Sequence, residues 1–438
     1  MTPQETEDAR RAAERLLASN WRGTHTVPAA GLYPHQWSWD SAFITFGTRH
    51  SRPADARLEL ATLFDAQWAD GRIPQIVYSP GGDYSPGPEF WQSSRLDGAP
   101  GVATAALIQP PMHAWAALAV HEADPEGSRE SGFLEKAYPA LLRWHEYLSS
   151  RRTVAGHGAG VIVHPWESGV DNSPLWDAAM ARIEVVSTAS LPRPDLAHAG
   201  EGERPTDRDY ARYFAIAAAY RDSHASDDLA SLPFALEDPG FTAIWARSER
   251  ALASIADHIG EDSARHVRRQ AELATAVEGL WNSRIGCYSA RDIRSGELVD
   301  KRTASGLLPL LVPGLLHGPE LLQLLWGPSF EFRTTALPPS NDLLDATFDR
   351  ASYWRGPAWF NTAWLLAQAL RDLDRHEEVA MIAERMMRLA VAGDFPEYVD
   401  PFDGSPRGTR AFSWTAALTL DLLTPTTIDH NDTTEAIR

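Results

Sequence analysis

The stretch FTAIWARSERALASIADHIG, residues 241–260, decides the fold class. Phe241, Ile244, Trp245, Leu252, Ile255 and Ile259 recur at the three- and four-residue spacing of one buried helical face, and Gly260 stops the run. The same pattern holds for Leu60, Leu63, Phe64 and Trp68, opened by Pro53 and closed by Gly71. It returns in Val379, Ile382, Ala383, Met386 and Leu389 before Gly393. Similar periodicity near 4–19, 38–50, 101–122, 131–150, 206–223, 262–282, 303–325, 357–373 and 411–423 predicts about twelve helices. No alternating β-branched run is long enough for a substantial sheet. Ile73–Tyr78 and Val161–His164 are the best extended pieces, so the fold class is all-α.

The connections between these helices are uneven. Some span a few residues, as in helical hairpins. Others are long and polar: 20–37, 71–100, 151–177, 186–205, 326–356 and 393–410. Connections of that length in a compact domain are usually functional, and the aromatic and acidic clusters sit mainly in them. The pattern describes a toroid of paired helices with its site at one mouth. No low-complexity linker divides the chain. A single domain over 1–438 is expected, with lid-like insertions near 71–100 and 186–205.

Composition narrows the function. The 438 residues are 44% apolar and 23% charged, which excludes a disordered chain, a collagen and a coiled-coil rod. A formal charge of −19 with no basic run argues against a nucleic-acid partner. Cys287 is the single cysteine, so no intrachain disulfide or cysteine-built zinc site is possible. The acidic N-terminal residues lack a signal-peptide pattern. Gly98–Val120 carries no Asp, Glu, Lys or Arg, but Pro100, Gln109, Pro110, Pro111 and His113 make it a poor membrane span. A soluble cytoplasmic protein without a membrane partner is expected, and a homo-oligomer is compatible with the sequence.

Tryptophan, at 16, outnumbers Phe at 15 and Tyr at 11, and many of the indoles adjoin Gly, Pro, Asp or Glu. Such rings suit the walls of a pocket for a flat, hydroxylated ligand, although core filling accounts for part of them. Four motifs stand out. Tyr33-Pro-His-Gln-Trp37-Ser-Trp39-Asp40 places two indoles before an acid that is equally fit to cap a helix Ser41–His50. Pro165-Trp166-Glu167-Ser-Gly169-Val-Asp171-Asn-Ser-Pro174 holds two carboxylates four apart, a pattern that turn chemistry would also explain. Tyr353-Trp354-Arg-Gly-Pro357-Ala-Trp359 sets aromatics at the start of a helix, where core packing is an equal account. Phe395-Pro-Glu397-Tyr-Val-Asp400-Pro-Phe-Asp403-Gly404 puts Glu397 between a proline and a tyrosine, a poor setting for a merely solubilising charge. Asp400 and Asp403 read as turn residues.

Two carboxyls from distant loops, walled by indoles, are what glycoside hydrolysis requires: an acid for the departing oxygen and a carboxylate for water or the sugar. Asp171 and Glu397 fit these roles, although spacing alone does not bring them together. A Gly-x-Ser-x-Gly elbow, a Walker loop, a His-Glu-x-x-His pair and an EF-hand loop are absent from the sequence, and Gly156, Gly158 and Gly160 fit a dinucleotide loop poorly. Neither metal nor cofactor is expected.

Taken in order, the four motifs resemble those of family 63 glycoside hydrolases, the compact bacterial glucosylglycerate and mannosylglycerate hydrolases among them. The resemblance covers most of the chain. It implies an (α/α)6 barrel and inverting hydrolysis of a small α-glycoside, most of all 2-O-α-glucosylglycerate with mannosylglycerate as a second substrate. By position in the motifs it makes Asp171 the general acid and Glu397 the general base. Asp40 would grip sugar hydroxyls, walled by Tyr33, Trp37, Gln109, Tyr353, Trp354 and Trp359, with Trp166 and Glu167 alongside. The segment Arg204-Pro-Thr-Asp-Arg208-Asp-Tyr210 resembles the family's aglycone-binding stretch. There Arg204 and Tyr210, joined by Trp39 and Tyr84, would hold the glycerate carboxylate, with Arg208 as the alternative cation. An α-glucosidase of the same family acting on a small gluco-oligosaccharide, a trehalase-like enzyme and a non-catalytic sugar-binding protein are the competing readings.

Overall fold

The computed structural model describes residues 2–185 and 192–424. Fifteen α-helices run through the described residues: α1 Pro3–Asn20, α2 Ser38–Thr48, α3 Pro53–Asp65, α4 Pro88–Trp91, α5 His113–Ala123, α6 Pro125–Ser131, α7 Phe133–Arg151, α8 Asp177–Ala181, α9 Asp207–Asp222, α10 Pro239–Ile259, α11 Ala264–Glu278, α12 Gly318–Trp326, α13 Phe360–Asp372, α14 His376–Ala392 and α15 Ser413–Leu423. The expected periodicities are met in most of them. Pro53 opens α3, Gly260 closes α10 with φ +76°, and Gly393 ends α14.

Their contacts close on themselves. α2 packs on α5, α5 on α10, α10 on the 3-10 turn Leu308–Leu311, that turn on α13, α13 on α15, and α15 back on α2. A second set lies against this ring: α1 on α15, α3 on α2, α7 on α10 and α5, α11 on α10, and α14 on α13. The inner helices are apolar almost all round, as burial on every side demands: all eleven residues of α2 and eleven of the thirteen in α13 are buried. Gly47 lets α2 approach α15 closely, because a Cβ there would lie 2.3 Å from the Ala417 carbonyl oxygen.

Two expected helices are interrupted. The run 101–122 becomes helical only at His113, since Pro110-Pro111 denies the chain both a donor and a helical preceding residue. The run 303–325 breaks into 3-10 turns at Ala304–Gly306 and Leu308–Leu311 before α12, with Pro309 and Pro313-Gly314 as the breakers.

The long connections are not loose. Trp37, Trp68, Ile76, Tyr78, Trp91, Leu107, Val161 and Tyr220 form a second apolar cluster beneath them, separate from the main core. The insertion expected near 71–100 is thereby anchored. The one expected near 186–205 falls partly on 186–191, outside the described residues. Among the described residues no helix is long and apolar enough to cross a membrane.

Candidate active site

Short antiparallel ladders bring the distant motifs together. Gln36–Trp37 pairs with Ile76–Val77, tying the first motif to the second long connection. Ala358–Trp359 pairs with Tyr398–Val399, with Trp359 opposite Tyr398, so the third motif lies against the fourth. Tyr398–Val399 pairs in turn with Pro406–Arg407. In the sequence most of these stretches read as loops, because two-residue strands leave no readable alternation.

Where these segments meet, about 780 Å³ of empty space opens, part of it to solvent. Tyr33, Trp37, Trp39, Asp40, Tyr84, Gln109, Trp166, Asp171, Tyr210, Tyr353, Trp354, Trp359 and Glu397 line it. The helix starts supply many of these groups. Asp40 lies in the first turn of α2, Trp359 immediately precedes α13, and Tyr210 stands in the first turn of α9. A capping box fixes that last turn: Thr206 Oγ1 accepts the Asp209 N–H at 3.2 Å, and Asp209 Oδ2 accepts the Thr206 N–H at 3.0 Å. The indoles pack as a wall. Trp354 and Trp359 stack at 3.8 Å and 5°, and Tyr398 stacks on Trp359 at 4.4 Å. Tyr353 sits at φ +27°, a strained backbone for tyrosine. Its carbonyl accepts from Trp359 Nε1 at 3.2 Å.

Asp40 does not cap its helix. α2 begins at Ser38 with Trp37 as N-cap, and no side chain caps it. The Asp40 carboxyl instead faces the cavity, and burial, reinforced by the charges of Glu397 and Asp171, pushes it well above the usual carboxylate range. Gln109 Oε1 accepts the Trp39 N–H at 3.2 Å.

Asp171 and Glu397 stand in unlike surroundings. Burial pushes the Asp171 carboxyl up to about 7; Glu397 adds to the rise and Arg204 opposes it. Glu397, 1% exposed, is surrounded by donors. Its Oε2 accepts Arg204 Nη2 at 2.6 Å and the Thr409 N–H at 3.2 Å. Its Oε1 accepts Arg204 Nη1 at 3.3 Å, the Tyr33 hydroxyl at 3.2 Å and the Tyr353 hydroxyl at 3.4 Å. Gly408, at φ +65°, passes so close that a Cβ would meet Oε2 at 2.5 Å.

Two expected binding residues lie elsewhere. Glu167 does not reach the cavity. It is fully buried, pairs with Arg152 at 2.7 and 3.0 Å, and accepts the N–H groups of Val163 at 2.8 Å and Ile108 at 3.1 Å. Its role is to anchor the loop that carries Asp171. The sequence could not show this, because Arg152 gives no sign in the chain of where it points. Arg204 lies behind Glu397 rather than in the wall, and its Nη1 also donates to Tyr33 Oη at 3.2 Å. Arg208 is exposed on the surface. A further guanidinium, Arg193, lies 3.7 Å over the Tyr210 ring but is held by Asp195 and Asp207.

Gln75, Trp91, Phe412 and Trp414 also line the cavity and were not expected from the sequence. Phe412 and Trp414 had a signal: aromatic residues flank the start of α15 as Trp37 and Trp39 flank that of α2 and Trp359 that of α13. Asp400 and Asp403 do turn chemistry. Asp400 Oδ1 accepts the Phe402 N–H at 2.9 Å and Asp403 Oδ1 the Ser405 N–H at 2.8 Å.

Residues 33–415 match the profile of the mannosylglycerate hydrolase MGH1-like glycoside hydrolase domain. The chain is 36% identical to the mannosylglycerate hydrolase of Rubrobacter radiotolerans, over 95% of this chain and 97% of that one. It is 35% identical to the glucosylglycerate hydrolase of Mycolicibacterium hassiacum, over 95% and 98%. The crystal structure of the GH63 mannosylglycerate hydrolase from Thermus thermophilus in complex with Tris and D-glycerate superposes with a TM-score of 0.87 at 35% identity, covering 94% of this chain and 99% of that one. Neutral trehalase Nth1 from Saccharomyces cerevisiae, at 14% identity and a TM-score of 0.57, shares the fold alone.

Proposed function

Because the chain belongs to the mannosylglycerate hydrolase MGH1-like family of glycoside hydrolases, we propose that it cleaves a small α-glycoside of glycerate, 2-O-α-glucosylglycerate first and mannosylglycerate second, within an (α/α)6 barrel. The observation that carries this reading is that one indole-walled cavity holds both Asp171, whose carboxyl burial pushes up to about 7, and Glu397, ringed by hydrogen-bond donors. Asp171, holding its proton near neutrality, protonates the glycosidic oxygen as the C1–O bond breaks. Glu397 takes a proton from a water that attacks C1 from the other face, so the configuration inverts. Asp40, in the same wall, grips sugar hydroxyls and tightens as the ring flattens toward the transition state. In this reading the two carboxyls and one water suffice for the chemistry.

In this reading Arg204, paired with Glu397 and Tyr33 behind the wall, serves as the cation for an anionic aglycone. A guanidinium pairs with a carboxylate in a planar fork, and it has particular weight in a chain of formal charge −19. Tyr84, Tyr210 and Trp39 complete that end of the cavity in this reading.

The test is product release from glucosylglycerate, mannosylglycerate, maltose, kojibiose and trehalose, with the anomer of the first-formed sugar followed by NMR. Turnover confined to the two glyceryl glycosides, with the β-anomer appearing first, is the expected result. Preferred cleavage of a disaccharide would move the assignment to an α-glucosidase, and no turnover at all would favour a sugar-binding protein.

A further inference from the structure

Resting on that reading, we propose that Arg204 is a positioning residue that restrains the general base until the substrate's own carboxylate draws it away. In the free protein five donors converge on the two oxygens of Glu397: both Arg204 Nη groups, two tyrosine hydroxyls and the Thr409 N–H. A carboxylate offers about four lone-pair sites. No acceptor is left for the proton of an attacking water, and the shortest of the contacts, 2.6 Å, is the charged one from Arg204 Nη2. The base is in place but occupied.

The guanidinium has a second edge. Arg204 Nε is buried and has no hydrogen-bond acceptor, while its plane lies 4.8 Å over the Tyr353 ring. Nη2 carries two hydrogens, so a substrate carboxylate on the Nε–Nη2 edge first shares the guanidinium with Glu397 and then, by drawing it toward itself, lengthens the Nη2 contact to Glu397 Oε2. The ring of Tyr353 supports the cation while it changes partners. Glu397 Oε2 then faces water with a free lone pair. Asp40 and Asp171 line the same cavity, yet in the free protein the guanidinium stays on Glu397, so neither can trigger the exchange. An incoming anion can. A neutral glycoside of the same sugar would bind and leave Glu397 restrained, so discrimination between the two would appear in kcat as well as in KM.

The experiment uses α-glucosyl and α-mannosyl fluoride, whose leaving group is small enough to leave the aglycone end of the cavity empty. In their hydrolysis the C1–F bond breaks, a C1–O bond forms to water, Glu397 takes the water proton and fluoride departs. Added D-glycerate is expected to raise kcat for the hydrolysed fluoride at least tenfold, whereas glycerol at the same concentration does not. In Arg204→Met the glycerate response is expected to vanish. Glycerate that is inert or purely inhibitory toward fluoride hydrolysis, in a protein that does cleave glyceryl glycosides, overturns the proposal. So does a response that survives in Arg204→Met. If no glyceryl glycoside is cleaved but glycerate still accelerates the fluoride, the substrate reading fails and the restraint stands. The wild-type measurement needs no variant, so a misfolded Arg204→Met does not remove the test.

Discussion

Asp171 carries a proton that an ordinary aspartate would have lost, because burial raises its pKa from 3.8 to about 7. In the proposed mechanism the protonated form is the active one, so kcat/KM is expected to fall with a slope of one proton above about pH 7, as a pH–rate profile with the preferred glycoside would record. The same shift acts on stability. The folded value lies above the unfolded one, so the folded state keeps a proton that the unfolded chain releases between about pH 4 and pH 7. The contribution is fully present below about pH 4 and is lost as pH rises through about 7. Asp171→Asn should therefore melt higher than the wild type at about pH 8 by calorimetry, converge with it near pH 4, and lose at least about a thousandfold in turnover. A lower melting temperature at pH 8 would mean that the carboxylate, and not the acid, is the native form.

At the scale of elements, the loop that presents Asp171 is held from behind. Arg152 at the end of α7 clasps Glu167, and Asp227 approaches Arg152 Nε at 3.0 Å, all in a buried network. Removing one partner of such a pair leaves an uncompensated charge, so Glu167→Gln is expected to cost about 3–5 kcal/mol in denaturant unfolding. Its KM should stay near the wild-type value while kcat falls, since the residue places the acid without touching substrate. Where α2 and α15 meet, no room exists for a methyl group at position 47. Gly47→Ala is expected to lower stability by about 1–3 kcal/mol through forced separation of the helices, with activity falling because both helices carry cavity residues at their starts. Gly169, at φ +73° and with Trp39 ring atoms 2.2 Å from where its Cβ would be, is the matching position in the Asp171 loop.

For the whole molecule, a formal charge of −19 opposes the approach of an anion. Salt shortens the reach of that field, to roughly 10 Å at 0.1 M. With an anionic glycoside, kcat/KM should rise severalfold between about 20 and about 200 mM salt, while a neutral fluoride should respond little. A fall with salt would point to steering by a local positive field instead.

The repeating helical faces, the proline and glycine punctuation and the aromatic-acid motifs are properties of neighbouring residues, and so the all-α class and most of the cavity wall were legible in the chain. Trp37, Trp39, Trp354 and Trp359 announced themselves beside polar residues, and Asp171 and Glu397 by their settings. The two-residue ladders, such as Trp359 opposite Tyr398, left no pattern to read. The partners of buried charges were equally hidden, because pairing depends on where chain segments far apart in sequence come to rest. Only the tertiary structure moved Glu167 from the binding wall to Arg152, took Asp40 off its helix cap and laid Arg204 on Glu397. A charge buried without a partner is too costly to persist, and which partner satisfies it is decided by packing, not by local sequence.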